Sequence, residues 1–265
     1  MRYIKTFKTQ EMLDPAAVFS CKAETYDRFR WDYAPSAIEY ILDRTGVNSG
    51  YLMADIGAGT GILTRHFLDS VKVVYAVEPN KSMRDVAERR HGAHPDFRRI
   101  TRGAESTGLP DQSLDLVVVG QALHWFDLEY APDEFSRILK PDGWLVVIWN
   151  KLGRGELTQE LEGVFSRYMG DEMRRTDPEL LSPYYRGSDF QQLSFGVVRH
   201  SNWDQFIGGL LSASWAPAEN DSSSRHIREE ARGIFERFST GGELTIKVVS
   251  HVAIGRPTAK QRTIP

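Results

Sequence analysis

Residues 51–61 read Tyr-Leu-Met-Ala-Asp-Ile-Gly-Ala-Gly-Thr-Gly, and they are the most informative segment of the chain. The apolar run Leu52–Ile56 is typical of a buried strand, and three glycines follow it at alternate positions. A helical pattern then begins at Ile62 and continues to Asp69. Strand, glycine turn and helix in this order predict a nucleotide-binding corner. The glycines let the backbone turn tightly and approach a ligand, and the helix N-terminus offers unpaired N–H groups.

The spacing of these glycines argues against two common nucleotide sites. A dinucleotide fold requires Gly-x-Gly-x-x-Gly, but the last position counted from Gly57 is Ile62. A phosphate-binding loop needs Lys and Ser/Thr directly after its last glycine, and neither follows here. Asp55 would repel a phosphate and suits a ligand with a cationic amine. The next predicted strand, Val73–Val77, ends at Glu78, about twenty residues past the glycines, where a carboxylate can accept both ribose hydroxyls.

The composition is that of an ordinary globular protein. With 265 residues, the chain is long enough for one α/β domain with an insertion. Its net charge of −3 gives no electrostatic reason to bind nucleic acid or an anionic membrane. A single cysteine, Cys21, excludes an intrachain disulfide and a cysteine-rich zinc site. No apolar run has the length of a signal peptide or a membrane span, so we expect a cytoplasmic protein. The sequence has no zinc-binding His or Cys pattern and no calcium loop, so we expect no metal.

Strand and helix patterns alternate over residues 52–150. The predicted strands are Leu52–Ile56, Val73–Val77, Phe97–Thr101, Leu114–Val119 and Trp144–Trp149, and the helical patterns between them are Ile62–Asp69, Lys81–His91 and Pro132–Leu139. Continuous apolar runs of this kind suit a parallel sheet covered on both faces. After Asn150 the pattern predicts helices at Glu156–Met169, Trp203–Ser214 and Arg225–Phe238, and strands at 195–200 and Glu243–Ile254.

Three further strings carry chemistry. Residues 103–115 read Gly-Ala-Glu-Ser-Thr-Gly-Leu-Pro-Asp-Gln-Ser-Leu-Asp. Residues 119–127 read Val-Gly-Gln-Ala-Leu-His-Trp-Phe-Asp, directly after the fourth predicted strand. Residues 26–35, before the first strand, read Tyr-Asp-Arg-Phe-Arg-Trp-Asp-Tyr-Ala-Pro. An aromatic ring can face a cationic centre, and a histidine can take a proton near neutral pH.

With these strings, the chain resembles the class I S-adenosylmethionine (SAM)-dependent methyltransferases, whose principal motif is Asp/Glu-x-Gly-x-Gly-x-Gly. Residues 103–115 resemble the signature of the methyltransferase type 11 group. The run Gln-Ala-x-His-Trp-Phe-Asp is similar to small-molecule methyltransferases related to trans-aconitate methyltransferase. The resemblance covers about residues 20–255. It implies a doubly wound α/β fold, with a seven-stranded, mostly parallel sheet and a helical cap inserted after strand five.

The same resemblance implies which residues form the site. SAM would be the methyl donor and S-adenosylhomocysteine the product. The implied donor-binding residues are Arg30, Asp55, Gly57, Ala58, Gly59, Gly61, Glu78, Pro79, Ala104, Glu105, Gln121 and Ala122. The implied catalytic group is His124, Trp125, Tyr26 and Tyr33. His124 could act as a base or only position the acceptor, and the sequence leaves both roles open. The segment over 26–35 departs from the family at Trp31, where proline is usual.

The resemblance also suggests a division of the chain. We expect N-terminal helices over 1–50 that close over the active site, a SAM-binding core over 51–150, a cap with the sixth strand over 151–242, and a last strand with a tail over 243–265. Trp203, Phe206 and Trp215 in the cap could line an acceptor pocket, although aromatic residues at such spacing belong more often to a core.

The predicted activity is in-line transfer of a methyl group to an oxygen, nitrogen, carbon or carboxylate nucleophile of a small molecule. The expected partner is that acceptor, without nucleic acid or membrane, and the protein would be a monomer or a homodimer. Two alternatives remain open. One is a SAM-binding protein of the same fold that does not transfer methyl, and the other is a nicotinamide oxidoreductase, which Ile62 disfavours.

Overall fold

A computed structural model describes residues 22–168, 178–185, 187, 190–214, 216–217 and 222–257. Cys21 and Trp215 lie outside these residues. Within them, a seven-stranded sheet has the order β3-β2-β1-β4-β5-β7-β6. The strands are β1 (Leu52–Ile56), β2 (Val73–Val77), β3 (Phe97–Ile100), β4 (Leu114–Gly120), β5 (Leu139–Leu152), β6 (Phe190–Ser201) and β7 (Leu244–Gly255). Only β7 runs antiparallel to its neighbours, so the mostly parallel sheet expected from the sequence is confirmed.

Helices cover both faces of this sheet. They are α1 (Ala23–Phe29), α2 (Pro35–Thr45), α3 (Lys81–His91), α4 (Ala131–Ile138), α5 (Glu156–Tyr168), α6 (Pro178–Tyr185), α7 (Trp203–Leu211) and α8 (Ser222–Phe238). The apolar sides of α2 and α3 pack on one face, and those of α4 and α6 pack on the other. The central strands β1 and β4 are buried on both faces, which explains their continuous apolar sequences. None of the described helices combines the length and hydropathy needed to cross a bilayer.

The helix predicted over Ile62–Asp69 is wrong. This segment contains only a 3₁₀ turn at Thr64–His66. Buried residues occur all along it, including Phe67 and Leu68, rather than on one helical stripe. The Thr64 hydroxyl also donates to Asp55 Oδ2 at 2.7 Å, which fixes the segment against β1. Tertiary packing therefore overrides the helical pattern, and the corner has no regular helix directly behind its glycines.

Two other predictions need correction. The fifth strand begins at Leu139, not at Trp144. Leu114 pairs with Leu139 and Leu116 pairs with Trp144, so residues 140–143 form an irregularity within β5 instead of a turn before it. The sequence also gave no sign of α6, which lies in the polar stretch around 170–190. Its Pro183 and short length hide the helical pattern.

The helices α5, α7 and α8 form a hydrophobic cluster of their own with the neighbouring ends of the last strands. Trp203 and Phe206 belong to this cluster, and their ring centroids lie 5.5 and 5.7 Å from that of Phe235. These two rings are therefore core residues, and neither lines the cavity described below. The core interpretation of their spacing is the correct one.

Candidate active site

The glycine corner lies at the carboxyl ends of β1 and β4, where the strand order reverses. Ligands of open α/β sheets bind at such switch points. Gly57, Gly59 and Gly61 have φ of +72°, +57° and +82°, a region that other residues rarely adopt. A Cβ on Gly57 would lie 2.5 Å from the Ala122 Cβ. The corner thus requires glycine at this position for both its conformation and its close packing against the loop after β4.

Asp55 is a buried acid with one unused acceptor atom. Its Oδ2 accepts from Thr64, whereas its Oδ1 is buried and has no hydrogen-bond partner among the described residues. Burial, with a smaller contribution from the nearby Glu78 charge, raises the pKa of Asp55 to about 7, against the hydrogen bond from Thr64. A cationic ligand group at Oδ1 would supply the missing partner and favour the ionised form.

Glu78 holds the glycine loop from the end of β2. Its Oε2 accepts from the Gly59 N–H at 2.9 Å, and its Oε1 accepts from the Asn80 N–H at 2.8 Å. Burial raises the pKa of Glu78 above its ordinary value. Each carboxylate oxygen still has a second lone pair, so the same group can accept ligand hydroxyls. The carbonyl groups of Glu78 and Pro79 accept from the Arg84 guanidinium, which ties this turn to α3.

The segment after α1 lies over the corner. Arg30 stands above the Tyr26 ring, with 5.5 Å between its Cζ and the ring centroid. Tyr33 is buried, and its hydroxyl approaches β4 so closely that a Cβ on Gly120 would lie 2.5 Å from it. Together with the corner they enclose a cavity lined by Tyr26, Arg30, Trp31, Tyr33, Asp55, Gly57, Ala58, Gly59, Thr60, Ile62, Leu63, Gly120 and Gln121.

This cavity has a volume of only about 30 Å³. That is room for about one water molecule, far less than a nucleoside needs. The residues fit a ligand with an ammonium group and a ribose, because Asp55 has an unused acceptor and Glu78 has spare lone pairs. A ligand of that size would therefore extend beyond this cavity, past Gly59 to Glu78.

Polar side chains of the last three strands fasten this segment. Asn150 of β5 donates to the Asp32 carbonyl at 3.2 Å and accepts from the Ser250 hydroxyl at 2.6 Å. Ser250 in turn accepts from the Ala34 N–H at 2.8 Å. Arg199 of β6 donates to the Asp32 carbonyl at 2.6 Å. No local pattern predicts these contacts, since the partners are 100 to 216 residues apart.

The Asp32 side chain is fastened from the opposite direction. Its carboxylate forms an ion pair with Arg65 and a hydrogen bond with His66 Nε2, and both residues follow the glycine corner. Burial would raise the pKa of Asp32, but the hydrogen bonds from His66 and Arg65 outweigh it and lower the pKa to about 2. The Asp32 side chain thus binds the residues after the corner, while the Asp32 carbonyl binds side chains of β5 and β6.

Helix α1 is attached to two other helices. The Lys22 ammonium donates to the carbonyls of Ala213 and Ala216 after α7, and the Phe29 ring occupies the space over Gly208. Ion pairs Glu24–Arg89 and Asp27–Arg90 join α1 to α3. The helix that carries Tyr26 therefore touches both the sheet domain and the cluster of α5, α7 and α8.

The loop after β4 brings His124 and Trp125, two of the four predicted catalytic residues, to the same edge of the sheet. Gln121 has φ of +58°, a strained value for a residue with a side chain, and its N–H donates to Ile148 of β5 at 3.0 Å. Burial, with a smaller effect of the Arg30 charge, lowers the pKa of His124 to about 4. Its Nδ1 is buried without a hydrogen-bond partner in the described residues. The Trp125 ring lies 5.1 Å from the His124 ring. His124 is therefore neutral at pH 7 and a weak base.

The remaining predicted site residues do not line the cavity. Glu105 Oε1 accepts from the Asp127 N–H at 3.0 Å and joins the loops after β3 and β4. Ala104 and Ala122 are both buried in the hydrophobic cluster on the α4 face. Residues of the predicted set that do not line the closed cavity are Gly61, Glu78, Pro79, Ala104, Glu105, Ala122, His124 and Trp125. The sequence missed the fastening residues Asn150, Arg199 and Ser250.

Comparison with known proteins agrees with this geometry. Residues 54–147 match the family described as a methyltransferase domain. An uncharacterized methyltransferase-like protein of Schizosaccharomyces pombe is 31% identical over 198 residues, which cover 74% of this chain and 70% of that protein. A second uncharacterized methyltransferase of the same yeast is 36% identical over 133 residues, 50% of this chain and 52% of that one. The chain thus spans about half the length of several curated relatives that it matches.

A solved structure shares the fold. The structure of a protein of Anaeromyxobacter dehalogenans that carries the name of a type II methyltransferase superimposes with a TM-score of 0.60 at 22% identity. The superposition covers 87% of this chain and 99% of that one. The chain matches the methyltransferase domain family, covers 70% of a methyltransferase-like relative at 31% identity and has the seven-stranded fold. It therefore belongs to the class I SAM-dependent methyltransferases.

Proposed function

We propose that the protein transfers a methyl group from SAM to a small-molecule acceptor. The observation that carries the proposal is the unused Oδ1 of Asp55. A buried carboxylate oxygen without a partner is costly unless a ligand group pairs with it. Asp55 lines the cavity beside the glycine corner, and an ammonium group is the partner that its charge requires.

The donor-binding roles follow from the contacts. Asp55 would bind the ammonium group of SAM, and Glu78 would accept the ribose hydroxyls. Gly57 and Gly59 leave room for close approach because they lack a Cβ. Arg30, above the Tyr26 ring, would pair with the carboxylate of the methionine part. Ala104 and Glu105 would border the adenine from the loop after β3.

SAM supplies a methyl group that its sulfonium already activates. The protein therefore has to hold donor and acceptor in line and to exclude water. The segment after α1 suits the second task, since it lies over the corner and contains the buried Tyr33. Gln121, Trp125 and Tyr33 would shape the space beside the reacting carbon.

His124 suits a positioning role better than that of a general base. With its pKa near 4, the imidazole is neutral at pH 7 but binds a proton weakly. Its unpartnered Nδ1 can form a hydrogen bond to the acceptor. An acceptor that is already deprotonated at neutral pH, such as a carboxylate, needs no base, and the Arg30 charge beside His124 would favour it. Among oxygen, nitrogen, carbon and carboxylate nucleophiles, we favour the carboxylate.

The acceptor would enter from the side of the cluster formed by α5, α7 and α8. Trp31 lines the cavity and also packs against this cluster, so it links the cluster to the site. The net charge of −3 supports a small molecule over nucleic acid as the acceptor. The division of the chain into a core over 51–150 and a cap over 151–242 is part of this proposal, as is a cytoplasmic location.

Calorimetric titration tests the proposal. We expect SAM and S-adenosylhomocysteine to bind, and NAD not to bind. Asp55→Asn should weaken SAM binding by about 100-fold, as expected for loss of a buried charge pair. Asp85→Asn is the matched control, because Asp85 forms an exposed ion pair with Lys81 on α3. Failure of the folded wild-type protein to bind SAM would contradict the proposal.

A second readout separates the alternative in which SAM is held without methyl transfer. Carboxylic acids are offered first with SAM, followed by compounds with oxygen, nitrogen and carbon nucleophiles, and formation of S-adenosylhomocysteine is measured. Binding without turnover on any acceptor class would favour the non-methylating alternative.

A further inference from the structure

Strand β6 forms one edge of the sheet. It is twelve residues long and pairs with β7 over its whole length. Among the described residues, its backbone makes no hydrogen bond to any other element. In an antiparallel ladder, alternate residues direct their N–H and C=O groups away from the partner strand. About half of the polar backbone groups of β6 therefore point outward from the sheet.

This edge lacks the features that keep edge strands from pairing. Proteins commonly protect such edges with short strands, prolines or charged side chains. The opposite edge, β3, follows this rule, because it has four residues and exposes Arg98 and Arg99. Strand β6 has no Lys, Asp, Glu or Pro. Its single charged residue, Arg199, turns inward to the carbonyl of Asp32.

The side chains of β6 are also suited to a neighbouring strand. On the face that carries α2, Leu193, Phe195 and Val197 alternate and are only half-buried. On the other face, Val198 is 55% exposed, one of the two large apolar side chains that are exposed in the described chain. A further strand beside β6 would cover these groups and pair the outward backbone at the same time.

We propose that β6 pairs with β6 of a second copy of this chain, antiparallel and around a two-fold axis at Phe195. Opposite residues in such a pair share one face of the sheet. Leu193 then lies opposite Val197, Phe195 lies opposite itself, and Gln192 lies opposite Val198 of the second copy. Arg199 lies opposite Gln191, so no like charges meet. The strand is self-complementary, which makes a second copy the partner that it fits best.

The pairing would act on the active site through Arg199. This residue donates from β6 to the carbonyls of Asp32 and Tyr33, and Tyr33 lines the cavity over the glycine corner. An edge strand that gains a second ladder opens less readily. The dimer would therefore help to hold the closed segment, although its formation does not depend on the proposed methyl transfer.

Analytical ultracentrifugation over a dilution series tests the dimer with two charge variants. Gln192 and Val198 are both exposed, so their substitution leaves the core intact. The wild-type chain should sediment as a dimer, at twice the monomer mass of 30.1 kDa. In Q192E/V198E, two pairs of glutamates face each other across the two-fold axis, and the dimer should weaken roughly tenfold or more. Q192E/V198K places opposite charges at the same positions and should restore it.

Two outcomes would overturn the inference. One is a wild-type dimer that both variants leave unchanged, because its interface would then lie elsewhere. The other is a monomeric wild-type protein. Hydrogen exchange would then show whether the outward β6 amides are open to solvent or are protected by another segment of the same chain, and either result contradicts the dimer.

Discussion

The two halves of the sheet build the site in different ways. In the half made of β1, β2, β3 and β4, the contacts come from short motifs: the Gly59 N–H donates to Glu78, 19 residues away, and the Thr64 hydroxyl donates to Asp55, nine residues away. In the half made of β5, β6 and β7, the contacts join residues that are 100 to 216 positions apart. The first half contains the residues that suit the donor, and the second half holds the segment that covers them.

Ligand binding and the covering of the site therefore depend on different halves of the sheet. A short motif can specify a corner because its residues share one strand and one turn. Closure requires a distant strand to meet the N-terminal segment, and this depends on the completed sheet. Substitutions in the first half should therefore affect ligand binding directly, whereas substitutions in the second half should act through the covering segment.

The largest effect is expected from Gly57→Ala in the first half. The added Cβ would meet Ala122 at 2.5 Å, in a backbone with φ of +72°. We expect the free energy of unfolding to fall by about 2–4 kcal/mol and SAM binding to be lost. Gly163→Ala in α5 is the control, since its Cβ would meet nothing within 4 Å. Urea unfolding measures the free energy of unfolding, and calorimetry measures SAM binding. If Gly57→Ala changed neither quantity, the corner would not need glycine at this position.

The next effect is a pH dependence of SAM affinity that arises from Asp55. An ammonium group binds the ionised carboxylate, and the pKa of Asp55 without ligand is about 7. Affinity should therefore fall as the pH falls, by about eightfold from pH 7.5 to pH 6. Methylthioadenosine, which has no ammonium group, should bind with little change over the same range. Equal pH dependence of the two ligands would place the titrating group elsewhere.

A smaller effect is expected from Asn150→Ala in the second half. The variant loses the hydrogen bonds to the Asp32 carbonyl and from the Ser250 hydroxyl. The free energy of unfolding should fall by about 1–2 kcal/mol, and SAM should bind several-fold more weakly. Hydrogen exchange should become faster at residues 31–34. Ser194→Ala on β6, which removes an exposed contact to His251 on β7, is the control. If exchange at 31–34 stays unchanged, the second half does not hold the segment.

The smallest effect concerns His124, at the boundary of the two halves. Proton NMR should find its imidazole titrating near pH 4, because burial and then the Arg30 charge disfavour the protonated form. The sign follows from the lowered pKa: its contribution to stability is present above the ordinary pKa of 6.5 and is lost as the pH falls through 4. His124→Asn identifies the resonance. Titration near 6.5 would contradict the positioning role and support a base.

The sequence predicted the first half closely. The bounds of β1, β2 and α3 agree with the prediction, since their apolar patterns and the Asn80 cap are local signals. The helix after the corner was wrong, because Phe67 and Leu68 enter the core without a helical stripe. In the second half, α6 and the early start of β5 were missed. Both depend on packing against strands that the pattern of one segment does not reveal.

The strand–glycine–acid corner, the sheet class and the family could be predicted from the sequence, because each depends on residue types at short and fixed spacing. How the corner is covered depends on the folded chain. Asn150, Ser250 and Arg199 reach residues 32–34 after β5, β7 and β6 have joined the sheet. The same assembly buries Asp55 and His124 and thereby shifts their pKa values. Burial is a property of the whole fold, and no spacing within the chain encodes it.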